Sequence, residues 1–281
     1  MRVDGNPFLD PEQVRGQLYE RADRLTLRSG ALNRARTDGR YVPEVIVELA
    51  VRWLPDSPLH HVADIGCGRG SSTLALAAGF PTGRIIALDL SPALLAAAGG
   101  RLRAASHHAR LVCADFHHMP LADVSCDLIV AAFCLYHAPE PSTVIAEMAR
   151  CLSPDGVVIL VTKSEDSYRE LDLLVARAGL DKHAATRTSL YESVHTGNLP
   201  DLAARSLDLK QTLHHQHTFC FTGFDHIAEY LATSPKYTLP ASFIGNPTAL
   251  ALALRGSLPD EPLTMSSTVT YLVAGAQIGR P

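Results

Sequence analysis

The chain has 281 residues, 47% of them hydrophobic and 19% charged, with a formal net charge of −4. A chain of this length and composition can bury a full core, which excludes a disordered polyelectrolyte and a collagen-like repeat. The two signs of charge are mixed and no basic stripe runs along the sequence, which excludes nucleic-acid backbone as the expected partner.

The first 55 residues read as an amphipathic helical lid. Val14, Leu18, Ala22 and Leu25 line one face, with Arg15, Glu20, Arg21 and Arg24 between them. Over Tyr41 to Leu54 the stripe is Val45, Leu49 and Trp53, ended by Pro55 and Pro58. The period then changes. His61–Ile65 is a short apolar strand, followed by Gly66-Cys-Gly-Arg-Gly70, with Ser71 placed to cap the helix Ser72–Ala78. A second strand, Arg84–Leu88, ends at Asp89. Ser91-Pro92 then opens the helix Ala93–Ala105. A third strand, Ala109–Ala114, ends at Asp115. A fourth, Cys126–Phe133, is apolar nearly throughout, as a strand buried on both faces should be. A helix over Ser142–Leu152, a turn at Pro154-Asp155-Gly156, a fifth strand Val157–Thr162 and a helix over Asp166–Ala178 follow.

Strand–helix alternation at this spacing predicts βαβ units and a doubly wound parallel sheet. Beyond residue 180 the rhythm breaks: a long strand Leu207–Phe221, helices Phe224–Thr233 and Pro240–Leu254, and a last strand Thr268–Ala274. The expected organisation is one domain over 1–281. It has a lid at 1–55, a core at 56–222 and 263–281, and a cap over a substrate pocket at 223–262. Tyr230, Tyr237 and Phe243 lie in that cap.

The longest apolar run, Leu128–Tyr136, has nine residues. A membrane-spanning helix needs about 20, so no membrane partner is expected. Met1–Pro11 holds no basic stretch followed by an apolar one, and a cytoplasmic location is the expectation. The six cysteines form no C-x-x-C pair and read as small reduced hydrophobes.

A glycine loop between a strand and a helix binds a ligand at the helix N-terminus. Here the glycines are 66, 68 and 70, and Ser71 stands where a dinucleotide fingerprint needs its third glycine. Asp64 precedes the loop, which disfavours a pyrophosphate and suits a cation. No Gly-Lys-Ser/Thr follows, so the P-loop pattern fails. Asp89 at the end of the second strand can accept both hydroxyls of a ribose. Asp115 at the end of the third can accept from an exocyclic amine, with Phe116 packing on a ring. Asp64 can face an ammonium, directly or through water. A ribose, an adenine-like ring and a cationic amino-acid end together describe S-adenosylmethionine.

The sequence resembles the class I, Rossmann-like methyltransferases that use this cofactor. The matching motifs are Val62–Gly70, Ile86–Ser91, Cys113–Phe116, Asp127–Pro139 and Leu152–Val157, in the family's order and spanning about 40 to 180. The resemblance implies a seven-stranded sheet whose last strand is antiparallel. It implies that Gly66, Gly68, Asp89, Asp115 and Phe116 line the cofactor, and Asp64, Cys67, Leu90, Ala132 and Phe133 are assigned to that lining with them. It also implies the product S-adenosylhomocysteine. Ala132 stands where many relatives carry a polar residue, and Tyr136-His137 where many carry His-His. No Asn/Asp-Pro-Pro-Tyr/Phe tetrapeptide follows the fourth strand, so the acceptor expected is a small metabolite methylated on O, N or C.

His137, just past the fourth strand, is the candidate general base. A histidine that only shapes its loop is the rival reading, because positioning and desolvation can supply much of the rate of methyl transfer. Tyr19, Tyr41, His195 and Tyr230 are the candidate substrate residues. On a strand, His215 and His217 share a face and His214 points away. With no third ligand evident, no metal is assigned. His107, His108, His117 and His118 read as solvated loop residues. Only four of the 25 cationic residues are lysines, a bias that points to bacterial specialised metabolism. Two rival functions keep the cofactor: a rearrangement catalysed by the sulfonium charge, and cofactor binding without catalysis. Oligomeric state is not legible.

Overall fold

The computed structural model describes residues 6–14, 18–20, 22–55 and 59–277. Arg15, Arg21 and Pro58, and residues 1–5 of the Met1–Pro11 stretch, lie outside the described residues. The first elements are α1 (Pro11–Gln13), α2 (Ala22–Ala35), β1 (Arg36–Asp38), α3 (Val42–Trp53), β2 (His61–Ile65), α4 (Ser71–Gly79), β3 (Arg84–Asp89), α5 (Pro92–Ala104) and β4 (Arg110–Cys113). They continue with β5 (Cys126–Ala132), α6 (Pro141–Cys151), β6 (Leu152–Lys163), α7 (Arg169–Arg177), α8 (Leu199–Ala203), β7 (Leu207–Phe221), α9 (Phe224–Leu231), α10 (Pro247–Ser257) and β8 (Leu263–Ala276). The chain divides into two compact units. The larger comprises Arg40–Ser164, Tyr191–His214 and Val269–Pro281, and the smaller Met1–Gly39, Glu165–Leu190 and His215–Thr268.

In the larger unit seven strands are hydrogen-bonded in the order β7-β8-β6-β5-β2-β3-β4. β4, β3, β2, β5 and β6 run parallel, and β8 pairs antiparallel with β6. This is the expected doubly wound sheet with its last strand reversed, but the whole sheet has eight strands and not the expected seven, because β1 pairs with the far end of β7. Its central strands are dry. Leu128–Ala131 and Val157–Leu160 are fully buried, each Val, Leu or Ile contributing about 1.5–3 kcal/mol. The stripe on α3 is Val45, Ile46, Leu49 and Ala50, packed in one core with Val62, Leu128, Val130 and Ile159. Because the five strands are parallel, Ile65, Asp89, Cys113, Ala132 and Lys163 end them at one edge of the sheet, where open α/β sheets hold ligands.

The smaller unit packs Ala31 of α2, Leu171 and Val175 of α7, Phe224, Ile227 and Leu231 of α9, and Leu250 and Leu254 of α10 around Phe221. Its strand β1 pairs antiparallel with β7, Arg36 opposite Phe219. Residues 223–262, the expected cap, fall within this unit, as do residues 22–39 of the expected lid; α3 falls in the larger unit.

Several boundaries differ from the sequence reading. The helix predicted from Pro240 begins at Pro247, because Gly245 takes a left-handed φ of +71° and the Asn246 side chain caps the Ala249 amide at 3.2 Å. The predicted turn at Pro154–Gly156 is taken up in β6 as a bulge: Cys126 pairs Leu152, and the next pair is Leu128 with Val157. Gly70, not Ser71, occupies the N-cap of α4, with φ +75°.

Candidate functional site

The glycine loop bridges β2 and α4 in the larger unit. Gly66 has φ +63°, and a β-carbon there would stand 2.4 Å from the Cys134 Cβ. Gly68 has φ +54°, and a β-carbon there would meet nothing within 4 Å. The first glycine is demanded by packing, whereas the second borders open space. The Cys67 amide donates to the Leu88 carbonyl at 2.9 Å, tying the loop to β3. Arg101 on α5 holds the far side, donating to the Arg69 carbonyl at 2.8 Å and the Ser71 hydroxyl at 3.1 Å.

Asp89 ends β3 with both oxygens oriented. Oδ2 accepts the Gly68 amide at 2.8 Å, and Oδ1 accepts the Ser91 amide at 2.8 Å. Each carboxylate oxygen has a second lone pair, so this geometry suits two further donors. Burial pushes the Asp89 carboxyl up, while the amides of Ser91 and Gly68 pull it down. Asp64 lies buried under the loop, 1% exposed, where its Oδ2 accepts the Thr73 hydroxyl at 2.5 Å. Burial pushes its carboxyl up to about 7. The Thr73 hydrogen bond opposes this, and the charge on Asp89 adds to it.

Past β4, Asp115 Oδ1 accepts the His117 amide at 3.0 Å and lies 2.7 Å from His117 Nδ1. His117 is therefore bound to a candidate site residue and is not a free solvated loop residue. The Phe116 ring lies 4.8 Å from the His117 ring. The Ala114 amide donates to the Asp89 carbonyl at 3.1 Å, and the Cys113 thiol to the Leu90 carbonyl at 3.5 Å, so the ends of β3 and β4 form one surface.

Phe133 follows β5 with φ +58°, a strained conformation for a residue with a side chain, held by its amide's 2.9 Å bond to the Val161 carbonyl. The adjacent Cys134 thiol donates to the Ile65 carbonyl at 3.2 Å. Burial pushes the thiols of Cys67 and Cys134 far up, which leaves both inert. His137 closes a single 3-10 turn, Leu135–His137, and its ring lies 4.9 Å from Tyr136. Tyr191 meets Tyr136 edge-on at 5.0 Å. Lys163, at the end of β6, places its ammonium 5.2 Å from the Phe133 ring and 5.7 Å from the Tyr191 ring.

The structure thus brings Asp64, Gly66, Cys67, Gly68, Asp89, Leu90, Asp115, Phe116, Ala132, Phe133 and His137 to the carboxyl edge of one sheet. His195 belongs to the same unit, and its Nδ1 accepts the Gly197 amide at 3.1 Å. Asn198 accepts the His195 amide at 2.8 Å and donates to the Ser193 carbonyl at 3.1 Å, so its side chain holds this loop together. Tyr41 precedes α3 in the larger unit, whereas Tyr19 and Tyr230 belong to the smaller. Thr73, Tyr191 and Lys163 escaped the sequence reading. The one available signal was a lysine ending a long apolar strand. Among the described residues no group of three or more His, Cys, Asp or Glu could hold a metal ion, and no helix is long and apolar enough to cross a membrane.

Residues 63–160 match the family model described as a methyltransferase domain. A malonyl-acyl-carrier-protein O-methyltransferase of Laribacter hongkongensis is 35% identical over 141 residues, 48% of this chain and 46% of that protein. A trans-aconitate 2-methyltransferase of Paracidovorax citrulli is 32% identical over 175 residues, 59% of this chain and 65% of that protein. The chain spans about half the length of the curated relatives it matches. Among solved structures, the cyclase SpnF superposes with a TM-score of 0.58 at 19% identity, covering 95% of this chain and 97% of that one, a likeness of fold.

Proposed function

We propose that this chain, whose residues 63–160 form a class I, S-adenosylmethionine-dependent methyltransferase domain, transfers the cofactor's methyl group to an O, N or C nucleophile of a small metabolite. One observation carries the reading. The glycine loop, the doubly oriented Asp89 and the Asp115–Phe116 pair end three neighbouring parallel strands within the matched segment.

The residues fit the cofactor. Open space beside Gly68 admits a ligand against the backbone, and Asp89 keeps acceptor capacity on both oxygens. In this reading Asp89 accepts from the ribose hydroxyls, Asp115 accepts from the adenine amine and Phe116 packs on its ring. Cys67, Leu90, Ala132 and Phe133 complete the lining. The acids Asp64 and Asp89 give the site a negative field that favours a cation. When bound, S-adenosylmethionine supplies a methyl group on an electrophilic sulfonium, and S-adenosylhomocysteine is left. His137 takes the acceptor's proton where the nucleophile carries one. Tyr41 and His195, in the unit that carries the glycine loop, are proposed to contact the acceptor.

Two similar proteins are named for malonyl-acyl-carrier-protein and trans-aconitate, which supports an acceptor bearing a carboxyl group. The arginine-rich, lysine-poor composition supports a place in bacterial specialised metabolism. The reading is tested by incubating the chain with S-adenosylmethionine and a panel of small carboxylic acids, with mass spectrometry as readout. A product heavier by one methylene, with S-adenosylhomocysteine formed in equal amount, is expected. Conversion of an acceptor with the cofactor left unchanged would replace methyl transfer by the sulfonium-catalysed rearrangement.

A further inference from the structure

Asp115 and Phe116 are both touched by the residue that follows them. The Asp115 Oδ1 accepts the His117 amide at 3.0 Å and lies 2.7 Å from the His117 Nδ1. An ionised carboxylate can only accept, so Nδ1 carries the proton and donates it. The His117 ring also lies 4.8 Å from the Phe116 ring, tilted by 38°. One imidazole thus meets both residues assigned to the adenine.

The turn that carries these residues is held without the imidazole. Its start is tied to β3 by the Ala114 amide, which donates to the Asp89 carbonyl at 3.1 Å. It closes with the His118 amide on the Asp115 carbonyl at 3.1 Å. Its far end is tied to α6, where Glu147 Oε1 accepts the Met119 amide at 2.9 Å and Arg150 donates to the Met119 carbonyl at 3.3 Å. The pair is also open to solvent, with the His117 side chain 30% and the Asp115 side chain 40% exposed. A pair this exposed adds little to stability. What it fixes is the carboxylate: with Oδ1 held by two donors, rotation about the Cβ–Cγ bond is restrained and the direction of Oδ2 is set.

We propose that His117 is a positioning residue that presets Asp115 and Phe116 for a 6-aminopurine and makes the site select it over a 6-oxopurine; this rests on the reading of the site as one for S-adenosylmethionine. A 6-amino group donates to the oriented carboxylate, a charge-assisted hydrogen bond. A 6-oxo group brings a lone pair to the same place. A carboxylate tied to His117 cannot turn away from it, so the oxo compound meets repulsion that an unrestrained Asp115 would relieve. The imidazole therefore acts on both sides of the discrimination, although it need not touch the ligand itself.

The test is calorimetry on the full chain with S-adenosylhomocysteine and S-inosylhomocysteine, which differ at purine position 6. The native chain should prefer the amino compound by about tenfold or more. His117→Ala and His117→Phe should each cut that preference about fivefold, the worth of one hydrogen bond, with the unfolding midpoint unchanged. The Phe variant keeps a ring beside Phe116 and lacks the donor. His117→Asn, whose amide can donate to Oδ1, should restore the preference to within about twofold of native. A native chain that binds neither compound would end the cofactor reading, and the role of His117 with it. Equal native affinity for the two, a preference kept in full by the Ala and Phe variants, or one lost as fully in Asn as in Ala would overturn the role of His117 and leave the cofactor reading standing. Should His117→Ala unfold, the Phe and Asn variants decide.

Discussion

The Asp89 carboxylate lies 2.8 Å from the Gly68 amide, so the acid that ends β3 is locked to the loop that follows β2. Removing the acid therefore has two effects: it takes away the acceptor for a ribose and frees the loop amide. Asp89→Ala should weaken S-adenosylmethionine binding by about 1.5–3 kcal/mol, as for a lost charge-assisted hydrogen bond. Calorimetry returning the native affinity in a folded variant would end the ribose assignment.

The two loop glycines should separate packing from ligand binding. Gly66→Ala puts a methyl 2.4 Å from the Cys134 Cβ in a left-handed conformation. Steric strain and overpacking together should cost about 2–5 kcal/mol in urea unfolding. Gly68→Ala meets nothing within 4 Å and carries the conformational cost alone, about 1–2 kcal/mol. Its larger effect should fall on the cofactor, whose approach to the backbone the new methyl obstructs. Undiminished cofactor affinity in Gly68→Ala would mean that the open space beside the loop is not where the ligand lies.

The sheet was legible because its strands are chemically uniform. Leu128–Ala131 is apolar on both faces, which only a buried parallel strand requires. The acids at 64, 89 and 115 were legible because a strand end is a position the sequence defines. β1 was not. Its residues Arg36, Thr37 and Asp38 show no alternation, and pairing with β7 decides their conformation. The contact of His117 with Asp115 and that of Lys163 with Phe133 and Tyr191 depend on side-chain geometry that no periodicity records. The strained Phe133 was equally hidden, since its φ is imposed by the Val161 carbonyl on the neighbouring strand.

Asp64 should make cofactor binding pH-dependent. Its folded carboxyl is pushed up to about 7 from an ordinary 3.8, so between these values the native state holds a proton that the unfolded chain has lost. Its contribution to stability therefore falls as pH rises through that window, and Asp64→Asn should show a smaller decline. A cationic ligand favours the charged form. S-adenosylmethionine affinity should thus rise as pH rises toward 7, by up to about tenfold per pH unit, and level off above it. Titrations on both sides of neutrality would check this. A wild-type slope that persists unchanged in Asp64→Asn would assign the proton to another group.

His137 tests whether the acceptor's proton is removed by the protein. Its single turn follows the strained Phe133 and the Cys134 that seats Gly66, so the fold fixes its backbone, and the Tyr136 ring lies beside its imidazole at 4.9 Å. As general base, it should lower kcat by about 10²–10⁴ when changed to Ala, with cofactor affinity barely altered. The wild-type kcat should also rise with pH through an apparent pKa in the imidazole range, and the variant should lose that limb. His137→Asn distinguishes this from a loop-shaping role, because the amide keeps a hydrogen bond and cannot take the proton. Slow turnover in both Ala and Asn assigns proton transfer to His137. Native rates in Asn with slow turnover in Ala reduce it to a positioning residue. A flat pH profile with both variants active would remove it from the mechanism. Orientation of the acceptor and desolvation around the sulfonium would then have to supply the rate.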